Sequence, residues 1–273
     1  MVKIADTSSL PPLDGPVLNP EPSRRTEGAD RLGAELLDAA RDLPSSAERL
    51  AKLAGGLHSL DPASLAGDDT RLAFWLNVYN ALLRQALFRT NARGSVRLKF
   101  GLFSRSAWCI GGRRFSLDLI EHGLLRGNAR IPLSWRRAAR EGDPRLDAAP
   151  RVRDPRVHFA LNCGARSGPP VRTYLSGAVS KQLDLATAAY FATEARVDRE
   201  RGVVTLPRLM KYFRADFGTR EDALRFAASH FDAADGEWLR VHLGDVRVRH
   251  SPYDWTISRD STGKNAPDAR FRG

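Results

Sequence analysis

The chain has 273 residues, of which 42% are apolar and 27% charged, enough material for a globular core. No apolar run approaches the ~20 residues that a membrane span needs, so no membrane partner is expected. The 43 basic and 32 acidic residues give a net charge of +11, yet only six of the basic residues are lysine, which fits codon bias in a GC-rich genome as well as selection for an anion.

Residues 1–28 carry Pro11, Pro12, Pro16, Pro20 and Pro22 with little apolar periodicity, and are expected to form a flexible arm. Met1 to Asp6 meets an acid at the sixth residue and has no apolar stretch, so no secretory leader is expected. Cys109 and Cys163 are too few for a disulfide framework, which makes a reducing cytoplasm the expected location. The first helix is expected over Ala29 to Leu43, where Leu32, Leu36, Leu37 and Ala40 recur at helical spacing. Ser45-Ser46-Ala47-Glu48 resembles a capping box opening a second helix. Thr70 to Thr90 is the strongest helical pattern and is apolar around most of its circumference, so it belongs at the centre of the fold. Ala107 to Phe115 reads as a hairpin turning at Gly111-Gly112, after which Ser116 caps a helix from Leu117 to Arg126. Arg126 to Arg156 holds nine arginines against four acids and is broken by four prolines. Val157 to Leu161 is a short apolar run bounded by Asp154-Pro155 and Asn162-Cys163-Gly164, a buried-strand signal. A helix over Ser176 to Glu194, a hairpin near Gly202, short helices over Pro207 to Phe213 and Glu221 to His230, and a last strand through Val246 and Val248 follow. The expected class is α+β: a helix-rich N-terminal part, with a central apolar helix packed on a small, mainly antiparallel sheet. One globular domain is expected over residues 29–257, with a loose tail over 258–273.

Four segments carry a resemblance to a known family: Ala73 to Leu82 (AFWLNVYNAL), Gly112 to Arg126 with its core Ser116 to His122 (SLDLIEH), His158 to Ser167 (HFALNCGARS) and Tyr253-Asp254-Trp255. In order and spacing they resemble the family known as domain of unknown function 547. The resemblance spans about residues 50 to 257 and implies no settled activity. A distant likeness to the papain and transglutaminase-like superfamily is compatible with it. Members often read Ser-Cys-Pro after the first cysteine; here the residues are Ser167-Gly168-Pro169, so a second thiol is missing.

The residues that could carry chemistry cluster in the same segments. Cys163 precedes a glycine at the end of the expected strand, where a side chain can enter a crevice and the N–H groups near Gly164 can face an anion. Its alternative is a small buried hydrophobe. His122 is flanked by Asp118 and Arg126 at i±4, all on one helix face. Asp118 could orient the imidazole, giving a nucleophile–base–orienter set with Cys163, while Glu121 lies about 100° around the helix as the other candidate acid. His158 is five residues before Cys163; on a regular strand the two face opposite sides, which leaves His158 as a pocket or structural residue. Asn77, Asn80 and Arg84 form one polar stripe on the central helix and, with Asn162, line either a pocket or a hydrogen-bonded lattice. Strand parity and the lack of paired short spacings disfavour a metal site built from His122, His158 and Cys163. No nucleotide-binding loop or Gly-x-Ser-x-Gly elbow is present, so no cofactor is expected. No basic helix with interleaved aromatics occurs, which argues against nucleic acid.

Two readings therefore stand. In the first, Cys163 attacks an amide or ester of a small or peptide-like substrate, His122 moves the proton, and Asp118 or Glu121 orients it. In the second, the same residues form a buried polar lattice in a non-catalytic module whose basic surface docks an acidic partner.

Overall fold

A computed structural model describes residues 16–24, 28–99, 101–132 and 134–258. Most of the expected arm (residues 1–15 and 25–27) and the tail beyond Ser258 lie outside the described residues. Residues 16–24 depart from the expectation of a loose arm. Asn19 is buried; its Nδ2 donates to the carbonyls of Ala54 (2.8 Å) and Cys109 (3.0 Å), and its Oδ1 accepts the Cys109 N–H at 2.7 Å. One short amide thus answers three buried backbone groups, and that outweighs the local proline content.

The N-terminal helices are α1 (Ala29–Arg41), α2 (Ala47–Gly56) and α3 (Asp68–Arg89). No side-chain bond caps α2; the Ser46 hydroxyl donates instead to the Ala39 carbonyl, so the expected capping box is absent. Helix α3 is buried continuously from Ala73 to Leu87, as expected of a helix apolar around most of its circumference. A short helix α4 (Leu102–Arg105) leads into β1 (Ala107–Ile110) and β2 (Arg113–Ser116), an antiparallel hairpin. Its turn residues Gly111 and Gly112 both have positive φ, 57° and 72°, which favours glycine at both positions. The hairpin lies on α3: Trp75 stacks on Phe115 with centroids 5.1 Å apart, and Trp108 Nε1 donates to Gln85 Oε1 at 2.7 Å.

The next helix is a π-helix over Leu119–Leu125, wider than expected, with i→i+5 bonds such as Arg126 N–H to Glu121 carbonyl at 2.9 Å. The Ser116 hydroxyl accepts the Leu119 N–H at its start. The second half comprises α5 (Val179–Glu194), β3 (Arg196–Asp198), β4 (Val203–Leu206), α6 (Arg208–Tyr212), α7 (Arg220–Ala228), α8 (Ala233–Val241) and β5 (Arg247–His250). Strands β3 and β4 are antiparallel, and β5 adds to β4 in parallel. The fold is α+β, with two small sheets rather than one. Helix α8 is capped by Asp232, whose side chain accepts the Asp235 N–H, and ends at Val241 ahead of the last strand. Among the described residues no helix is long and apolar enough to cross a membrane.

Two apolar cores result. The larger gathers α1, α2, α3, the hairpin and the π-helix. The smaller is rich in aromatics and gathers Phe159, Tyr190 and Phe191 with β4, α6, α7 and α8. Val157 and Ala160 pack in the first core and Phe159 in the second, so this segment runs along the seam between them.

Candidate functional site

The seam is where the sequence expectation and the structure differ most. Val157 to Leu161 is not a strand. A 3-10 turn spans Pro155–Phe159, with Asp154 accepting the Arg156 N–H and Pro155 in the first turn. An Asp-Pro helix start prevails over the apolar run. The strand-parity argument that set His158 aside therefore lapses.

His158 is 1% exposed at its side chain and lies flat on Phe213, centroids 3.8 Å apart. Its Nε2 is 2.8 Å from Asp216 Oδ2. Arg126 grips the same carboxylate through Nε (2.5 Å) and Nη2 (3.0 Å). Burial alone would push Asp216 up, but the bonds from His158 and Arg126 outweigh it and hold the carboxyl down at about 2. Burial lowers the His158 pKa and favours the neutral ring; since an ionised carboxylate only accepts, Nε2 carries the proton and the lone pair sits on Nδ1. That atom is buried and has no hydrogen-bond partner among the described residues.

His122 is arranged the opposite way. Its Nδ1 lies 2.8 Å from Arg126 Nη1. A guanidinium only donates, so the lone pair of His122 is occupied. Its Nε2 faces Asp118 Oδ1 at 4.0 Å, beyond a hydrogen bond. Burial, then the Arg126 charge, lowers its pKa to about 4, so the ring is neutral at pH 7. Glu121, expected to point elsewhere, joins the same cluster. Its Oε1 is 3.9 Å from His122 Nδ1, and its Oε2 accepts the Tyr79 hydroxyl at 2.9 Å. Burial raises Glu121 and Asp118 above the usual carboxylate range. Among the described residues no three metal-ligating side chains are grouped to hold an ion.

Cys163 sits at the edge of this cluster and is partly exposed. Its Sγ is 3.1 Å from the Tyr253 hydroxyl, and the Ala165 N–H also donates to it. Burial pushes the thiol up, and the Glu121 carboxylate adds to that. The N–H of Gly164, one of those expected to face an anion, is taken at 2.5 Å by the Asn162 side chain. Gly164 has φ +83°, and a Cβ there would meet Leu87 Cδ1 at 2.8 Å, so the turn needs glycine.

The polar stripe on α3 does not open a pocket. Asn77 exchanges two bonds with the Tyr174 backbone, at 2.7 and 2.9 Å. Asn80 donates to the Ala160 carbonyl (3.1 Å) and accepts the Asn162 N–H (3.0 Å). Asn162 Nδ2 reaches the Pro169 carbonyl at 2.7 Å. Arg84 binds the last carbonyls of α1, those of Ala40 and Arg41. These four side chains hold loops in place.

Asp216 and Tyr79 escaped the sequence reading. Tyr253 belongs to the YDW word, which marked its segment without assigning it a role. Asp216 lies in a short turn over Arg214–Phe217 with no periodicity to flag it.

Residues 62–191, which carry Tyr79, Glu121, His122, His158 and Cys163, match the family described as Protein of unknown function, DUF547. That segment belongs to the DUF547 family. Asp216 and Tyr253 lie beyond the matched segment. No curated protein and no solved structure matches the chain.

Proposed function

We propose that this protein is a cysteine-dependent acyl hydrolase or transferase in which Cys163 is the nucleophile, His158 the general base, and Asp216 the residue that orients it. The observation that carries the reading is the buried, unpartnered Nδ1 of His158 on a ring whose other nitrogen is held by an ionised carboxylate. His122, whose lone pair is taken by Arg126, supports the framework instead. The Cys163 S–H proton passes to His158 Nδ1 as sulfur bonds to the carbonyl carbon of an ester or amide. The imidazolium then returns the proton to the departing alcohol or amine. A water, deprotonated by the same nitrogen, releases the acid; an acceptor alcohol or amine in its place receives the acyl group. Glu121 influences both Cys163 and His158 electrostatically, and its charge favours the neutral thiol at rest. A neutral thiol–imidazole pair fits general-base attack.

The test is acylation by p-nitrophenyl acetate, read by mass spectrometry on the Cys163 peptide. Wild-type protein is expected to form the thioester adduct while folded. His158→Gln, whose amide can still donate to Asp216, should slow it ~100-fold. His122→Gln should leave the rate within a few-fold. The raised thiol and the occupied His122 favour a second reading, a non-catalytic polar lattice. Under it, folded protein gives no Cys163 adduct, or His158→Gln acylates at the wild-type rate.

A further inference from the structure

A groove of about 810 Å³ lies beside the seam, and Asp118 lines its wall. It is walled by the hairpin turn, the start of the π-helix, Ile131 and the loop over 134–145, and its lining includes six arginines against three acids. Their partners make the imbalance sharper. Asp143 is already neutralised by Arg145, through Nε at 3.0 Å and Nη2 at 2.6 Å. Asp118 faces His122 and is acted on by the charge of Arg136. Arg113 and Arg136 act on Asp143 and Asp118 only at longer range, Glu141 is the remaining acid of the lining, and among the described residues none of Arg113, Arg136, Arg137 and Arg140 lies within 4.0 Å of a carboxylate. Arg137 donates to the Asn128 carbonyl. Outside the groove, Arg49, Arg126, Arg156 and Arg199 each meet one or more carboxylates, whereas Arg71 and Arg220 are held by backbone carbonyls.

Gathering like charges around one concavity is unfavourable unless an opposite charge enters it. Guanidinium forks match phosphate and carboxylate oxygens in pairs, and several forks around a groove suit a ligand with several such groups. We infer that the groove binds a small polyanion, a molecule carrying two or more phosphate or carboxylate groups. The inference stands apart from Cys163: the arginines form this site whether or not the thiol is a nucleophile.

Calorimetric titration of the full-length protein with tripolyphosphate and with citrate, at low ionic strength, tests it. One saturable site for either probe is expected, and the stronger of the two tells whether phosphate or carboxylate chemistry is preferred. Arg136→Gln/Arg140→Gln should weaken binding tenfold or more. Arg225→Gln/Arg240→Gln, which removes the same charge from α7 and α8, should leave it within twofold. Equal weakening in the two double variants would reduce the effect to net charge and overturn the site. Failure of both anions to bind would also overturn it, as would binding confined to phosphatidylglycerol vesicles. Both double variants alter exposed side chains, and their melting temperatures verify folding.

Discussion

Buried polar groups are handled in two ways in this molecule. On α3, Asn77, Asn80 and Arg84 each end on backbone groups of another segment. At the seam, Arg126 and His158 both end on the Asp216 carboxylate, Arg126 also reaches His122, and the lone pair of His158 Nδ1 is left over. The first arrangement fixes loops and has no reactive remainder. The second stores charge in a protected place, which a stability role alone does not require. The difference separates scaffold from candidate chemistry: Asn77, Asn80, Arg84, Arg126 and His158 share the matched segment, and Asp216 reaches them from beyond it.

The sharpest way to break this contrast is to remove one partner from each region. Asp216→Ala leaves Arg126 and His158 buried without their carboxylate and should cost about 3–5 kcal/mol in denaturant unfolding. Asn80→Ala strands one carbonyl and one N–H and should cost about 2–3 kcal/mol. Rescue distinguishes them. Adding Arg126→Met to an Asp216→Leu background should recover much of the loss, because an ion pair can be exchanged for apolar contact. No side-chain change can rescue Asn80→Ala in this way, since its partners are backbone. If the Arg126→Met/Asp216→Leu pair is no more stable than Asp216→Leu alone, the seam is held by something other than mutual charge.

The extent to which the sequence foretold this follows the same division. Helix α3 and the Gly111-Gly112 hairpin were legible because burial on all sides and a two-glycine turn leave local marks. Asn77, Asn80, Glu121, His122, His158 and Cys163 were visible as chemistry-bearing residues. Their roles were not, because a role depends on which atom of a partner arrives. Burial and then the Arg126 charge lower the pKa of His122, whose lone pair Arg126 Nη1 occupies, while the Nε2 of His158 is held by Asp216, 58 residues away. The turn at Pro155 reversed the parity argument because one capped proline start overrode a five-residue apolar pattern. The two-core seam was likewise out of reach, since it depends on which apolar faces meet.

Acid should act on the seam and spare the α3 stripe. His122 binds a proton at about 4 in the folded chain and at 6.5 when unfolded. Between those values the unfolded chain holds the extra proton, so stability rises with pH across this window and falls as acid is added. The full effect is ~3 kcal/mol. Asp216, held down at about 2 from 3.8, adds a further loss only below the His122 window. Asp118 and Glu121, raised by burial, work in the opposite direction. The difference between wild type and His122→Gln isolates the histidine: it should shrink steadily from pH 6.5 to 4. A difference that stays flat across that range would mean His122 is not held neutral by its surroundings. Asn80→Ala, which touches no titrating group, should parallel wild type throughout.

The smallest change in stability comes with the most specific readout. Gly168 occupies the place where the resembled family often carries a second cysteine. A Cβ at that position would lie 3.4 Å from Cys163 Sγ, close enough for a thiol on it to reach the sulfur with a modest adjustment. It would also press on the Ala165 carbonyl at 3.0 Å and Asn162 Nδ2 at 3.3 Å, so Gly168→Cys should cost about 1 kcal/mol when reduced. Under oxidising conditions the variant should form a 163–168 disulfide, seen as one linked peptide, and lose acylation at Cys163. Reductant should restore both the free thiols and the adduct. Cys109, buried under the Asn19 segment, should stay out of the exchange. Gly168→Ala supplies the steric control: it keeps the pressure on Ala165 and adds no thiol, so its acylation should not respond to oxidation. If oxidised Gly168→Cys leaves Cys163 as reactive as before, the thiol does not point toward residue 168. The edge of the seam would then be built differently from the arrangement that places Tyr253, the Ala165 N–H and Gly168 around one sulfur.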